Sequence, residues 1–412
     1  LIYKKVGSGS YVLPIEEKLN INNAVSNEDD RQEYDYNTEE GYIDFATASP
    51  DPRLFPMTDF KKAINDVIER DGGNAFMYHD SRGYLPLRSS IADYLSKKEI
   101  EVGPEDVYII SGAQQGIDII AKALLTNGDY VFVESPTYTG AAAVFKSRGA
   151  RIVEIPLQND GPDMKELEKL LQIMKPKFMY TMPNFQNPTG CSYSERKKKH
   201  LMLLCKKYKL LVVEDDYSGD LSYKDKPATP LKAYDKTDSV IYIKSFSKIF
   251  MPGLRVAFLI IPERIKKIIA SAKYMTDIST SGFMQRVLDL YLNRNILDEH
   301  IKYMKKEYGL RYMEAVRAAK KYLRGALFNQ PYGGLNLWIR LPEGIDSNIL
   351  YERCKKKMVL ITPGTVFLKG KDGEQHIRIS FSGVDVPDIT KGIAIIGNAI
   401  EEIKIDSRLG SA

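Results

Sequence analysis

Between Asp106 and Ile261 the chain repeats one pattern, a short apolar run that ends in polar residues and is followed by an amphipathic stretch. That repeat restricts the fold more than any other feature. Strands are predicted at Val107 to Ser111, Tyr130 to Glu134, Arg151 to Ile155, Phe178 to Met182, Leu210 to Glu214, Ser239 to Lys244 and Val256 to Ile261. Helices at Gln114 to Leu125, Thr139 to Arg148, Met164 to Met174 and Ser194 to Tyr208 separate several of them. Short apolar runs joined by helical crossovers predict an α/β fold whose mostly parallel, seven-stranded sheet is sandwiched by helices. Upstream lie a proline-rich loop (ASPDPRLFP) and helices over Met57 to Arg70 and Leu85 to Glu99. After Arg264 a helical region runs to about Arg324. GGLNLWIRL, MVLITPG and HIRISFS then read as strands, with a last helix near Ile389 to Ile403, which predicts a smaller C-terminal α+β domain.

The rest of the composition narrows the class. With 412 residues, 43% apolar and 27% charged, the chain is globular and long enough for two domains. A net charge of +5 is mild for this length and argues neither for nor against nucleic acid. Cys191, Cys205 and Cys354 are far apart and odd in number, which suggests neither a disulfide framework nor a zinc site. His79, His200, His300 and His376 lack metal-ligand spacing. No run approaches eighteen apolar residues and the N-terminus lacks a signal-peptide pattern, so a cytoplasmic protein with no membrane partner is expected. Residues 1–12, LIYKKVGSGSYV, read as two β segments around a Gly-Ser-Gly turn, and residues 13–41 as a polar, acidic linker. The chain begins at Leu1 rather than methionine, which points to sequence upstream in the natural protein.

Chemistry collects at the carboxyl ends of the predicted strands, where α/β folds bind ligands. SVIYIKSFSKIFMPGLR places Lys248 just past such an end, with Ser245, Ser247 and Arg255 nearby. An ammonium in a half-dry pocket has a lowered pKa and attacks a carbonyl to form a Schiff base, while hydroxyls and an arginine hold a phosphate. That combination is what pyridoxal phosphate needs; a solvated lysine on a polar turn is the plainer alternative. Gly112, Ala113 and Gln114 open a helix whose free N–H groups would face an anion, or they mark an ordinary capped helix start. Tyr138 could stack on a pyridine ring or sit in the core. Asn187 belongs to an Asn-Pro-Thr-Gly turn, which explains it without a ligand; alternatively its amide bonds the phenolic oxygen of the cofactor. Asp215, at the end of its strand beside Tyr217, is the candidate to face a pyridine nitrogen, and a helix cap is the other reading.

In order, Gly112-Ala113-Gln114, Tyr138, Asn187-Pro188-Thr189-Gly190, Asp215-Asp216-Tyr217, Ser245-x-Ser247-Lys248 and Arg255 resemble the fold-type I aminotransferases, over roughly Tyr42 to Ile403. LIYKKVGSGSYV resembles the last strands and wing of the winged helix-turn-helix of GntR-type regulators. Wing, acidic linker and aminotransferase-like body together are similar to the MocR family of transcriptional regulators.

The resemblance implies a large pyridoxal 5′-phosphate-binding domain over 42–290, to whose smaller partner the first residues contribute, and a small domain over 291–412. Lys248 would hold the cofactor as a Schiff base and shuttle a proton. Ser245, Ser247, Arg255 and the Ala113 and Gln114 amides would form the phosphate cup. Asp215 would pair with the pyridine nitrogen, Asn187 and Tyr217 would bond the phenolic oxygen, and Tyr138 would lie over the ring. Arg378 would grip a substrate carboxylate. Tyr78 matches the position from which family dimers send a tyrosine to the neighbouring phosphate, which implies a homodimer. The body of a winged helix-turn-helix is missing here, so DNA would be bound only through sequence outside this chain. No residue fixes the side chain of an amino ligand; Arg53 reads as an exposed loop cation or as one reaching the site. Two functions follow, an effector domain that senses or transaminates an amino compound for a MocR-type regulator, and a stand-alone metabolic aminotransferase.

Overall fold

Two short segments open the chain, β1 (Ile2–Lys5) and β2 (Gly9–Val12), and they pair antiparallel with Ile2 opposite Val12. The computed structural model describes residues 2–5, 9–12, 41–224 and 228–409. All but the last residue of the expected linker, 13–40, therefore lies outside the described residues. The hairpin belongs to a unit ending at Asn37, and the rest of the chain from Thr38 forms a second unit.

In that second unit β3 (Ile43–Asp44), α1 (Met57–Asp71) and α2 (Leu85–Ser96) lead into the sheet. There follow β4 (Val107–Ile110), α3 (Ala113–Leu124), β5 (Tyr130–Ser135), α4 (Thr139–Ser147), β6 (Arg151–Gln158), β7 (Gly161–Pro162), α5 (Met164–Ile173) and β8 (Phe178–Thr181). Then come α6 (Glu195–Tyr208), β9 (Val212–Asp216), β10 (Val240–Ser245), β11 (Ala257–Ile260), α7 (Glu263–Asp277), α8 (Gly282–Asn293) and α9 (Ile296–Tyr322). All seven expected strands form. An eighth, β7, folds back on β6 through the tight turn Asn159-Asp160, with Gly161 at φ 124° pairing with Gln158, and is too short to carry a hydrophobic period.

The strand order is β4-β11-β10-β9-β8-β5-β6-β7. Strands β6, β5, β8, β9 and β10 are parallel, whereas β11 is antiparallel to both β10 and β4. Two reversals cancel, so β4 runs with β10, and the start of β11 lies at the edge where the other strands end. The carboxyl ends of β4, β5, β8, β9 and β10 and the residues before β11 thereby share one rim.

Pleating sends alternate residues to opposite faces. Tyr108, Ile110, Tyr180, Val213, Ile241 and Ile243 pack with α3, α4 and α7, while Val107, Ile109 and Tyr242 pack with α2 and α8, and Met179 and Val212 with α5 and α6. Fully buried aliphatics of this kind contribute about 2 kcal/mol each.

The C-terminal part carries β12 (Leu327–Phe328), β13 (Asn336–Arg340), α10 (Ser347–Lys356), β14 (Val359–Leu360), β15 (Thr362–Pro363), α11 (Lys371–Glu374), β16 (His376–Ser380) and α12 (Val386–Leu409). MVLITPG is not one strand. Its first half, β14, pairs with β3, and its second half, β15, joins a four-stranded sheet ordered β12-β13-β16-β15. Ile43 and Phe45 bury in the core of this part, which ties the start of the unit to its end. Helix α9 serves both cores: Leu297, Met304 and Tyr308 pack with α2 and α8, and Ala315, Val316 and Ala319 pack against the C-terminal elements.

Candidate active site

Lys248 stands on the turn after β10. Phe246, Ile249 and Phe250 around it are sunk in the core, so the turn is pinned and the lysine is the residue left facing the rim. Its half-buried ammonium donates to the carbonyl of Ala48. Loss of water lowers its pKa to about 8, and the cations of Arg378 and Arg255 add to the effect.

Strand β9 carries three consecutive buried acids, Glu214, Asp215 and Asp216. The pleat separates them. Glu214 accepts from the backbone of Leu231 and Lys232, and Asp216 accepts from Tyr242 Oη at 2.5 Å and pairs with Lys244 at 3.2 Å. Lys244 also reaches Asp220 at 2.5 Å, and Asp220 is held by Lys98 and by Tyr94, so these buried charges compensate one another. Asp215 points to the other face. Its Oδ2 accepts from Tyr180 Oη at 2.7 Å, and its buried Oδ1 has no hydrogen-bond partner. Burial raises this carboxyl to about 6 despite the opposing bond from Tyr180.

An anion cradle lies at the start of α3. Gly112 has φ 99°, and no side chain caps the helix there, so its first N–H groups and positive dipole end face outward. Arg255, itself left-handed at φ 54°, donates from Nη2 to the Ser111 carbonyl at 2.8 Å. A Cβ on Gly112 would fall 2.3 Å from that Nη2, so glycine keeps the cradle open. Ser245 Oγ donates to Ser247 Oγ at 3.0 Å. Gln114 Oε1 accepts from Tyr138 Oη at 3.1 Å, which ties the ring before α4 to the cradle.

The third wall comes from the loop after β8 and from β16. Arg378 Nη1 donates to Asn187 Oδ1 at 3.1 Å, and its Nη2 donates to the Ala46 carbonyl and to Thr362 Oγ1. Tyr217 Oη donates to the Phe185 carbonyl at 2.6 Å, and burial pushes the phenol up to about 12. Gln186 and Glu134 hold this loop from beneath: Gln186 Nε2 donates to Glu134 Oε2 at 3.1 Å and to the Pro136 carbonyl at 2.7 Å.

Arg255 and Arg378 thus both lie within electrostatic reach of Lys248, and Asn187 meets Arg378 directly. Tyr78 stands apart with 83% of its surface exposed. Arg53 is taken up by Asp51 at 2.8 Å and Asp385 at 2.5 Å. Sequence reasoning overlooked Tyr180, Gln186, Thr362 and the Ala46 and Ala48 carbonyls. Carbonyls have no sequence signature, and a tyrosine inside an apolar strand reads as core.

Residues 42–396 match the family described as aminotransferase class I and II, and the chain belongs to it. It is 32% identical to aromatic-amino-acid aminotransferase 1 of Thermococcus litoralis over 87% of this chain and 88% of that protein. It is 33% identical to the uncharacterized HTH-type transcriptional regulator YcxD of Bacillus subtilis, over 86% and 82% of the two chains. Among solved structures, LysN, the α-aminoadipate aminotransferase of Thermus thermophilus complexed with N-(5′-phosphopyridoxyl)-L-leucine, superposes with a TM-score of 0.83 at 30% identity, over 89% and 94% of the chains. The cofactor of the family, and of this chain, is pyridoxal 5′-phosphate. The residues present fit it: a buried unpartnered carboxylate oxygen on Asp215, an open cradle at Gly112, and an amine of lowered pKa at Lys248.

Proposed function

We propose that this chain is the pyridoxal phosphate-binding effector domain of a MocR-type transcriptional regulator, which senses or transaminates an amino compound. The β1–β2 hairpin ahead of the aminotransferase body carries this reading, because it resembles the wing of a winged helix-turn-helix. The similarity to a regulator of Bacillus subtilis supports it. In this reading residues 1–12 are the wing remnant, 13–41 the linker, 42–290 the large domain and 291–412 the small one, in a cytoplasmic homodimer. Exposed Phe76, Met77 and Tyr78, each at least 66% exposed, support a second copy covering that face. Among the described residues no helix is long and apolar enough to cross a membrane, and no cluster of His, Cys, Asp or Glu is arranged for a metal.

Bound pyridoxal phosphate supplies an electron sink for charge developing on the α-carbon of an amino ligand. Lys248 attaches the cofactor and afterwards holds or moves a proton at Nζ; with a pKa of about 8 its neutral form is present at neutral pH. Asp215 Oδ1 accepts from the pyridine N–H. Ser245, Ser247, Arg255, Gly112 and the Ala113 and Gln114 amides bind the phosphate, and Tyr78 of a second copy completes that cup. Tyr138 covers the ring. Asn187 and Tyr217 would bond the phenolic oxygen; Tyr217 stays protonated, with a pKa of about 12, and its hydroxyl would turn from the Phe185 carbonyl to make that bond. Arg378 orients the ligand carboxylate. For a regulator, a ligand that favours one arrangement of the body shifts the population the DNA-binding part reads.

The alternative is a metabolic aminotransferase of an amino acid, and the similarity to the enzyme of Thermococcus litoralis favours it. A spectral titration of the yellow protein with a panel of amino acids and amines, with assay for keto acid, separates the two. Spectral change without keto acid, together with a helix-turn-helix frame upstream of Leu1 in the gene, is expected for the regulator. Sustained keto-acid production without such a frame would overturn it.

A further inference from the structure

The Asp215 side chain accepts one hydrogen bond among the described residues, from Tyr180. Tyr180 lies on β8 opposite Val213 of β9, so the pleat puts its ring on the same face as Asp215, one step diagonally along the neighbouring strand. The tyrosine is fully buried and cannot swing. Phe145 of α4 meets its ring edge-on at 5.7 Å and meets Phe178, two residues earlier on β8, at 5.2 Å. The phenolic hydroxyl takes Oδ2, and Oδ1 is left buried with nothing to accept from.

We propose that Tyr180 is a positioning residue for the cofactor: by occupying Oδ2 from a ring locked under α4, it fixes the Asp215 carboxylate so that Oδ1 alone is presented to the pyridine nitrogen. The proposal rests on Asp215 as the partner of that nitrogen. A carboxylate free to rotate would spread its acceptor capacity over two orientations, and an uncapped Oδ2 in the same dry site would oppose ionisation. The same hydroxyl therefore sets both the direction of the carboxylate and its charge. Tyr180 itself stays protonated, since burial and the adjacent carboxylate raise its pKa well above the ordinary phenol.

Tyr180→Phe keeps the ring and its contacts with Phe145 and Phe178, so the fold persists, with thermal unfolding of the apo protein as the check. Two measurements test the role. Pyridoxal phosphate affinity, followed by absorbance, should weaken roughly tenfold, the scale of a lost hydrogen bond to a charged group. In the apo protein, the infrared carbonyl stretch of protonated Asp215, isolated by subtracting Asp215→Asn, should titrate at higher pH in Tyr180→Phe than in the wild type. Unchanged affinity and an unchanged carboxyl titration in Tyr180→Phe, with Asp215→Asn weakening the cofactor, would overturn the role of Tyr180 alone. Full affinity in Asp215→Asn would instead remove the reading beneath it.

Discussion

Arg378 Nη1 lies 3.1 Å from Asn187 Oδ1, so two side chains 191 positions apart in sequence meet at the site. The contact joins β16 of the C-terminal part to the loop that follows β8. A carboxylate arriving at this guanidinium is matched in shape and charge, whereas the neutral amide is a weaker acceptor.

Replacing Arg378 by alanine should spare cofactor attachment and weaken carboxylate-bearing ligands by roughly a hundredfold, the size of a lost charge-assisted pair. Amines without a carboxylate should bind as before. Spectral titrations with an amino acid and its decarboxylated analogue make the comparison, and equal losses for both would remove the proposed role.

Much of this arrangement is legible in the sequence for a definite reason. A parallel sheet gathers strand ends, so the residues just past apolar runs, Gly112, Tyr138, Asp215 and Lys248, can be assigned from sequence to one rim of the sheet. Breaks inside helical sequence were harder to see. The helical region after Arg264 divides into α7, α8 and α9 at Ile278 (φ 53°) and Asn295 (φ 56°), positions where a β-branched residue and an asparagine adopt left-handed backbone. Long-range partners such as Thr362 for Arg378, or Tyr180 for Asp215, leave no local pattern.

Lys248→Ala should abolish the borohydride-reducible adduct with pyridoxal phosphate. In the wild type, attachment requires the neutral amine, whose fraction rises with pH until the lysine's own pKa of about 8. The rate of adduct formation by apo protein should therefore rise about tenfold from roughly pH 6 to pH 7 and level off above about pH 8. A midpoint near the ordinary lysine value would show that neither burial nor the cations of Arg378 and Arg255 depress it.

Asp215→Asn should weaken the cofactor yet stabilise the apo protein at neutral pH. The folded carboxyl titrates at about 6, above its unfolded value of 3.8, so the stability tied to its protonated form is present in acid and is lost as pH rises through 6. The buried charge then costs on the order of 2–3 kcal/mol at neutral pH. Urea unfolding of apo wild type and apo Asp215→Asn should diverge by that amount near neutrality and converge below about pH 4. Parallel curves at both pH values would contradict the assignment.

Asp51 shows the opposite sign. It is buried, which by itself raises its pKa, yet hydrogen bonds from Arg53 and Arg311 overcome burial and hold it at about 2. Arg311 is buried too and contacts Asp51 Oδ2 at 2.6 Å, whereas Arg53 is 61% exposed and its pair is screened by solvent. The pair fastens the segment whose Ala46 and Ala48 carbonyls touch Arg378 and Lys248 onto α9. Stability from Asp51 is present above its unfolded value of 3.8 and is lost as pH falls through about 2. Asp51→Asn leaves buried Arg311 with Asp385, 3.7 Å away and partly exposed, as its remaining carboxylate among the described residues and should cost up to roughly 3 kcal/mol at neutral pH. Calorimetry at neutral pH should show a melting point several degrees lower, and an unchanged one would mean that water or Asp385 replaces the lost charge.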